Sequence, residues 1–170
     1  MPINLEIKLK LVSFDEKLKL LKKLGAKQIQ ILNQKDIYYS VPNGLLKLRI
    51  ENEKITLIFY NREEQKKNRW SEFHLLKFDD NNPSSFLKKL FDVKAVVQKQ
   101  RRLFLFNNTR IHLDDVKGLG KFLELETFVV EGKPDAEIRF RDMIGFLKLD
   151  QSKQIRKSYC DLVEKKKKYT

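Results

Sequence analysis

The chain has 170 residues, of which 36 are Lys or Arg and 23 are Asp or Glu, and its formal net charge is +13. This length suits one ordinary domain, and a hydrophobic fraction of 41% is normal for a globular protein. No apolar run approaches the ~20 residues of a membrane-spanning helix, so we expect no membrane span. The positive charge favours anionic partners, such as phosphates or nucleic acid, without choosing among them.

The cysteine content and the first residues indicate a compartment. Cys160 is the single cysteine, which excludes an intrachain disulfide and agrees with a reducing environment. We interpret Cys160 as an inert structural thiol. The first residues alternate polar and apolar side chains and lack the apolar core of a signal peptide. We therefore expect a cytoplasmic protein, in the cytosol or the nucleus.

The first residues predict a strand followed by a helix. Strict alternation over residues 3–12 is typical of a strand. Ser13 is expected to cap the next helix, with Glu16 as its capping-box partner. That helix is predicted over residues 14–24, and Gly25 is expected to end it.

The rest of the chain predicts hairpin-connected strands and two more helices. Strands are predicted over residues 27–33, 35–41, 45–50, 54–62, 69–78, 94–106, 109–116 and 121–130, and helices over residues 84–90 and 135–147. Tight turns are predicted at Pro42-Asn43-Gly44 and at Asn107-Asn108. The basic residues 165–170 are expected to form a solvated, frayed tail. Because no linker or repeat divides the chain, we expect one α+β domain over residues 1–170.

Polar and apolar side chains alternate along several of these strands, so each strand has one charged face and one apolar face. About eight antiparallel strands with polar faces favour a closed β-barrel with a polar interior, since closure removes exposed sheet edges. The apolar faces would then point outward, where the helices cover them. This arrangement predicts an internal cavity lined by charges of both signs.

Four acidic residues on these polar faces are candidate ligands for a divalent cation: Glu6, Asp114, Glu124 and Glu126. Mg²⁺ and Mn²⁺ bind carboxylate oxygens and leave positions open for water and phosphate. Glu124 and Glu126 lie two positions apart, which places both carboxylates on one strand face about 7 Å apart. Taken alone, that pair is also compatible with an ordinary solvent-facing strand.

Eight basic residues are candidates for binding phosphate: Lys8, Lys10, Lys47, Arg49, Arg62, Lys99, Arg101 and Arg110. Arg binds phosphate oxygens through two parallel N–H groups, and Lys supplies a compact charge. One basic pair at two-residue spacing is typical of a solvated strand face. Several such pairs in phase with the acidic residues predict a polyanion site. His74 and His112 could act as bases and Tyr159 could stack on a ligand, but packing roles are the simpler interpretation.

Several segments, taken in order, resemble the CYTH family, also called the triphosphate tunnel metalloenzymes. They are residues 4–8, similar to the family's E-x-E-x-K signature, and residues 41–49, 58–62, 97–101, 109–114 and 118–126. The last two segments, separated by a short fixed gap, are the most specific. The most similar subgroup is the class IV adenylate cyclase-like one. One residue departs from the signature, since Asn4 stands where its first Glu is expected.

The resemblance implies an eight-stranded antiparallel tunnel that binds a triphosphate together with Mg²⁺ or Mn²⁺. It implies Glu6, Glu124 and Glu126 as metal ligands, with Asp114 as a further acidic partner. It implies phosphate binding by Lys8, Lys47, Arg49, Arg62, Lys99, Arg101 and Arg110. Glu6, Lys8, Arg101 and Asp114 would form the catalytic centre. The amide of Asn4 can ligate a cation or orient a water, but it brings no charge to a second metal site.

The expected activity is a divalent-metal-dependent phosphohydrolase that releases phosphate from an inorganic or organic triphosphate. The first alternative is a class IV adenylate cyclase, because attack of a ribose hydroxyl on the α-phosphorus of ATP would use the same tunnel. A non-catalytic polyphosphate-binding protein is motivated by Asn4, and a nucleic-acid binder by net charge alone. The absence of a Gly-rich phosphate loop argues against an ordinary nucleotide-binding fold. The oligomeric state, monomer or dimer, stays open.

Overall fold

A computed structural model describes residues 3–62, 70–78 and 83–168, without the side chains of Asn61, Arg62 and Glu72. The strands within these ranges are β1 (Ile3–Leu11), β2 (Lys27–Tyr39), β3 (Leu45–Glu51), β4 (Lys54–Arg62), β5 (Trp70–Phe78), β6 (Val93–Phe106), β7 (Thr109–Val116) and β8 (Gly120–Phe128). The helices are α1 (Asp15–Leu24), α2 (Ser84–Leu90), α3 (Lys133–Phe146) and α4 (Tyr159–Lys167), with a 3₁₀ turn at Gln151–Lys153. None of the helices described has the length and apolarity needed to cross a membrane.

The strands form a closed antiparallel barrel in the order β1-β5-β4-β3-β2-β6-β7-β8. β1 pairs with β8 over eight positions and with β5 over only three, at residues 3–5. Among the described residues, pairing at Ile3, Asn4 and Leu5 closes the barrel at one end, and the remaining positions of β1 and β5 are not paired with each other. The predicted α+β barrel is therefore confirmed.

The alternating pattern sorts the side chains of β1 as predicted. Ile7 and Leu9 are buried in an apolar cluster with residues of α1 and α3, on the outer face of the barrel. Asn4, Glu6 and Lys8 line the interior. The same sorting holds on β7 and β8, because successive side chains of a strand point to opposite faces.

Helices α1, α2 and α3 cover the outer faces of the strands. Leu21 of α1 and Met143 of α3 pack on β1, β7 and β8, and Leu87 of α2 packs on β2 and β3. Helix α4 differs, since Tyr159 and Cys160 pack against apolar residues that continue the interior faces of β6, β7 and β8. Helix α4 therefore covers one end of the interior.

Two predicted turns are confirmed by the backbone. Asn107 and Asn108 have φ of 43° and 55°, which is the left-handed conformation that a two-residue hairpin turn requires. Gly44 has φ of 71° in the turn between β2 and β3, where glycine carries no steric cost. These turns set the register of the hairpins on which the site residues lie.

Some sequence predictions differ from the structure. The two strands predicted over residues 27–33 and 35–41 are one strand, β2, which ends at Tyr39 and whose long pairing with β6 tolerates a bulge near Gln28. Ser13 is not the N-cap of α1, because the helix begins one residue later than predicted and Phe14 takes that position. The Ser13 hydroxyl instead accepts a 3.3 Å hydrogen bond from the Asp15 N–H. Gly25 ends the helix as predicted, with φ of 74°.

Helix α4 was not predicted from the sequence. Ser158 and Asp161 form a reciprocal capping box at its start, and residues 165–167, expected to be a frayed tail, form its last turn. The prediction failed because lysines dominate this segment and its apolar stripe is short. In that stripe, Leu162 and Val163 pack against the end of the barrel. Residues 169–170 of the predicted tail lie outside the described residues.

Candidate active site

A cavity of about 360 Å³ occupies the barrel interior, and every strand contributes to its lining. The charged and polar part of the lining includes Asn4, Glu6, Lys8, Lys47, Arg49, Glu51, Lys99, Arg101, Arg110, His112, Glu124 and Glu126. Apolar side chains of β4 and β5, among them Ile58 and Phe73, form another part. Ser158 and Tyr159 at the start of α4 complete it. The interior is thus a charged cavity with one apolar stretch.

Asp114 lies behind the cavity wall and holds two of its cations. Arg101, its partner across β6 and β7, donates from Nε and Nη2 to the two carboxylate oxygens at 2.7 and 2.6 Å. Lys99 Nζ and the Tyr159 hydroxyl donate to the same carboxylate at 3.1 and 3.0 Å. Burial opposes ionisation of Asp114, but Arg101 and Lys99 outweigh it and hold its pKa well below the usual range. Asp114 therefore stays ionised and fixes both basic side chains.

A second carboxylate, Asp36, repeats this arrangement on β2. Arg49, its partner on β3, donates from Nε and Nη2 at 2.7 Å each, and Lys47 Nζ donates at 3.2 Å. Asp36 is 1% exposed. Burial raises its pKa, yet Arg49 and Lys47 lower it further, so its pKa lies well below the usual range. Each Lys-x-Arg pair is thus held by one buried aspartate on the neighbouring strand.

The two lysines of these pairs are buried, which lowers their pKa values. Burial and the nearby Arg49 lower the pKa of Lys47 to about 7, despite the ion pair with Asp36. Burial and Arg101 also lower the pKa of Lys99. Two buried ammonium groups with lowered pKa values gain most from a bound anion, because an opposite charge nearby favours the charged form.

Lys8 and Glu124 connect β1 to this network. Lys8 Nζ lies 3.1 Å from Glu124 Oε1, donates to the main-chain oxygen of Lys157 at 3.1 Å, and lies 4.1 Å above the ring of Tyr159. Glu124 Oε2 accepts from Arg101 Nη2 at 2.7 Å. Burial raises the pKa of Glu124, but Lys8, His112 and Arg101 hold it well below its usual range. Tyr159 thus contacts Lys8 and also the Asp114 carboxylate that holds Lys99 and Arg101.

Glu124, Glu126 and His112 form a cluster of possible metal donors. One donor atom from each lies within 4.8 Å of the others. The Glu124 and Glu126 side chains are 14% and 23% exposed, so both carboxylates remain accessible from the cavity. Burial raises the pKa of Glu126, but His112 and Arg101 lower it more, and the carboxylate is ionised at neutral pH. This donor set fits a divalent cation that keeps positions open for water or phosphate.

The other predicted site residues are distributed differently. Glu6 lines the cavity and faces Glu126 across β1 and β8. Arg110 also lines it, at an exposed position 4.7 Å from the ring of Phe128. Lys10 is exposed and is not among the described lining residues. Arg62 is in β4, and its side chain lies outside the description.

Two residues of this site were missed in the sequence or given another role. Asp36 was overlooked because the prediction broke β2 at residue 34, which concealed its position opposite Arg49. Its sequence signal is the phase it shares with Tyr38, which also faces the interior. His112 was interpreted as a packing residue, although it alternates with Arg110 and Asp114 on the interior face of β7. The acidic candidates also differ in their surroundings. The Asp114 carboxylate accepts hydrogen bonds from four protein donor atoms, whereas Glu124 and Glu126 line the cavity.

Comparison with known proteins agrees with the geometry. A protein of Methanocaldococcus jannaschii, named as a candidate adenylate cyclase, is 28% identical over 94% of this chain and 98% of its own length. The solved structure of PH1012 from Pyrococcus horikoshii is 27% identical, with a TM-score of 0.78 over 94% of this chain and 98% of that one.

A more distant structure shares the fold. It is a candidate adenylyl cyclase from Hippeastrum, described as having a dominant triphosphatase activity, with 20% identity and a TM-score of 0.61 over 87% of each chain. The family model of the CYTH domain matches residues 2–159. The chain therefore belongs to the CYTH domain family.

Proposed function

We propose that the chain is a divalent-metal-dependent phosphohydrolase that binds a triphosphate in the barrel and releases orthophosphate. The observation that carries the proposal is the pair of Lys-x-Arg clusters, each held by a buried aspartate, that line the same cavity as Glu124 and Glu126. Phosphoryl transfer depends chiefly on positioning and on neutralising the phosphate charge, and both functions suit this lining.

Two arginines that are fixed by buried aspartates favour binding of a polyphosphate over binding of a single phosphate. Arg49 and Arg101 lie on two strands, β3 and β6, that flank β2, and each guanidinium is fixed by two hydrogen bonds. Fixed donors lose little conformational freedom on binding and contact separate phosphate groups. Lys8, Lys47 and Lys99 supply further compact charges between them.

The charge balance of the site supports a role for a cation. The described charged residues in and directly behind the cavity are six basic, Lys8, Lys47, Arg49, Lys99, Arg101 and Arg110, and six acidic, Glu6, Asp36, Glu51, Asp114, Glu124 and Glu126. A triphosphate therefore adds a large negative charge to a balanced site. A divalent cation held by Glu124 and Glu126 would neutralise part of that charge and supply a bound water of lowered pKa.

The protein side chains then have separate roles. Arg49 and Arg101 would orient the phosphates, and Lys8 and Lys99 would stabilise charge on the group that is transferred. Asp36 and Asp114 would position the arginine and lysine side chains without touching the substrate. Mg²⁺ and Mn²⁺ both fit the carboxylate donors.

A second candidate is a class IV adenylate cyclase, which one structural feature favours. Ile58 and Phe73 give the cavity an apolar stretch that could seat an organic group attached to a triphosphate. In a cyclase the ribose 3′-hydroxyl would attack the α-phosphorus of ATP and pyrophosphate would leave. The similarity to the named candidate cyclase motivates testing both reactions.

The test is a product assay with tripolyphosphate, thiamine triphosphate and ATP, each with Mg²⁺ and Mn²⁺. Hydrolysis releases orthophosphate, whereas cyclisation yields cAMP and pyrophosphate. Glu124→Gln and Glu126→Gln should each reduce turnover by at least about a hundredfold. Asp115→Asn, at an exposed position on the outer face of β7, serves as the control. Tight tripolyphosphate binding with no product from any substrate would favour a non-catalytic binding protein.

A further inference from the structure

We propose that His112 is a nitrogen ligand of the cation held by Glu124 and Glu126, and that this imidazole makes the site select Mn²⁺ over Mg²⁺. The inference rests on the proposed metal-dependent function only for the presence of a cation. It names the ion class that the site would take.

The first observation is an unsatisfied polar atom. His112 is 2% exposed, and its Nδ1 has no hydrogen-bond partner among the described residues. A buried polar atom without a partner costs free energy, so native structures rarely retain one without a reason. The cost disappears if the nitrogen binds an ion.

The second observation is where that atom lies. Nδ1 is 3.9 Å from Glu124 Oε2 and 3.8 Å from Glu126 Oε1. Both distances exceed a hydrogen bond. They match the separation of two ligands on one ion, because donors about 2.1 Å from a cation lie about 3 to 4.2 Å apart. The three donor atoms lie within 4.8 Å of one another, so small side-chain movements would bring all three into the coordination range of one ion.

The third observation is that the barrel fixes this geometry. His112 and Glu124 are paired residues of β7 and β8, and Glu126 faces Arg110 at the next inward position. Side chains directly opposite each other on antiparallel strands have Cβ atoms about 5 Å apart. The donors are therefore held by backbone register and not by a mobile loop.

The chemistry of the donors indicates the ion. Mg²⁺ prefers oxygen ligands and dehydrates reluctantly, whereas imidazole nitrogen suits first-row transition ions. A site with two carboxylates and one imidazole therefore binds Mn²⁺ more tightly than Mg²⁺. If the imidazole instead acted only as a cationic partner of the two glutamates, it would not bond to the ion and would not discriminate between these metals.

The decisive measurement uses the unmodified chain loaded with Mn²⁺. Electron spin echo envelope modulation detects ¹⁴N bonded to the ion, and we expect a coupling typical of imidazole. Calorimetric titrations then compare Mn²⁺ and Mg²⁺ affinities in wild type, in His112→Gln and in His74→Gln. His74 is the matched control, because it is exposed on β5 and is not among the described lining residues.

His112→Gln should remove the nitrogen coupling and weaken Mn²⁺ binding by at least about tenfold, with less than about a twofold change for Mg²⁺. His74→Gln should leave both affinities unchanged. Mn²⁺ that binds the wild type without nitrogen coupling, or an equal loss of both ions in His112→Gln, overturns the role of His112 while metal-dependent turnover can still stand. Failure of both cations to bind the wild type overturns this inference together with the proposed metal-dependent function.

Discussion

Asp36 and Arg49 face each other across β2 and β3 and are joined by two hydrogen bonds of 2.7 Å. Asp114 and Arg101 form the same pair across β7 and β6, with hydrogen bonds of 2.7 and 2.6 Å. In both cases a lysine two residues before the arginine contacts the same carboxylate. The barrel thus contains two copies of one device that presents a fixed guanidinium and an ammonium group to the cavity.

Removing one of these carboxylate charges should destabilise the protein strongly. Asp36→Asn leaves Arg49 and Lys47 buried without their anion, so we expect a loss of about 3 kcal/mol in the free energy of unfolding in urea. Asp115→Asn is the control, since its 4.0 Å ion pair with Lys121 is exposed and contributes at most about 1 kcal/mol. Tripolyphosphate should stabilise Asp36→Asn more than wild type, because the anion replaces the missing charge. Equal stabilisation of the two would contradict this account of Asp36.

The same carboxylate predicts a pH dependence. A group whose pKa is lower in the folded state stabilises the protein above its unfolded pKa, and the stabilisation is lost as the pH falls toward the folded value. For Asp36 the usual value is 3.8 and the folded pKa is far lower. The stability difference between wild type and Asp36→Asn should therefore be constant above about pH 5 and shrink as the pH falls below 3.8. Urea unfolding of both proteins between pH 2 and pH 7 measures it.

Lys47 predicts proton uptake when a polyphosphate binds. Its pKa of about 7 is below that of a solvated lysine, chiefly because of burial and then Arg49, so most of the ammonium is deprotonated at pH 8. A bound anion raises this pKa, and up to about one proton should be taken up per complex. Calorimetry of tripolyphosphate binding in buffers of different ionisation enthalpy gives the number. Lys47→Met should reduce that uptake and leave only the share of Lys99, whereas Lys54→Met, at an exposed position on β4, should retain it in full.

Lys47 also has a stability consequence, with the same dependence on pH as that of Asp36 but in a higher pH window. Because its pKa is lower in the folded chain than in the unfolded one, the unfolded state binds more protons between about pH 7 and 10.5. The contribution of Lys47 to stability therefore rises with pH across that window. A wild-type stability that increases relative to Lys47→Met between pH 7 and pH 10 is the expected result.

The alternating pattern was enough to predict the interior faces of β1, β7 and β8, because each of these strands has strict two-residue periodicity and one buried apolar face. The pattern could not predict which charged side chains of different strands contact each other. Asp36 became visible only through its register with Arg49, which depends on the course of β2. Lys10 fits the pattern of Lys8, yet it is exposed, since a sequence cannot tell where along a strand the cavity ends. The role of Asp114 as an anion engaged by four donors also required the three-dimensional positions of Lys99 and Tyr159.

The packing of helix α4 on the barrel predicts that the Cys160 thiol is protected from reagents in solution. Cys160, the single cysteine, is 0% exposed, and burial raises its pKa to about 12. It should react with a maleimide only when α4 separates from the barrel. Tyr159→Phe removes the 3.0 Å hydrogen bond to Asp114, a bond to a charged group that contributes about 1.5–3 kcal/mol, so labelling should accelerate by roughly tenfold or more.

The control for this experiment is Tyr39→Phe, which removes a hydroxyl from a buried tyrosine that packs with the residues under α2. Its labelling rate should stay near that of wild type. Labelling of the wild type as fast as that of the urea-unfolded chain would show that α4 does not protect Cys160.

Asn4 offers a test of the charge missing from the E-x-E-x-K signature. The residue is 3% exposed and lines the cavity, and its Oδ1 has no partner among the described residues. Asn4→Glu places a third carboxylate on the interior face near Glu6 and Glu126. Without metal it should lower the free energy of unfolding by about 2 kcal/mol, because a buried charge lacks a partner. Saturating Mn²⁺ should recover that stability, and titration followed by electron paramagnetic resonance should count more bound Mn²⁺ than in wild type.

Asn4→Gln is the matched variant, since it has the length of glutamate without the charge. We expect it to bind the same number of Mn²⁺ ions as wild type and to gain no extra stability from the metal. If Asn4→Glu and Asn4→Gln respond alike to Mn²⁺, then a carboxylate at this position does not create a cation site. In that case the amide of Asn4 does not lower the number of cations that the protein binds.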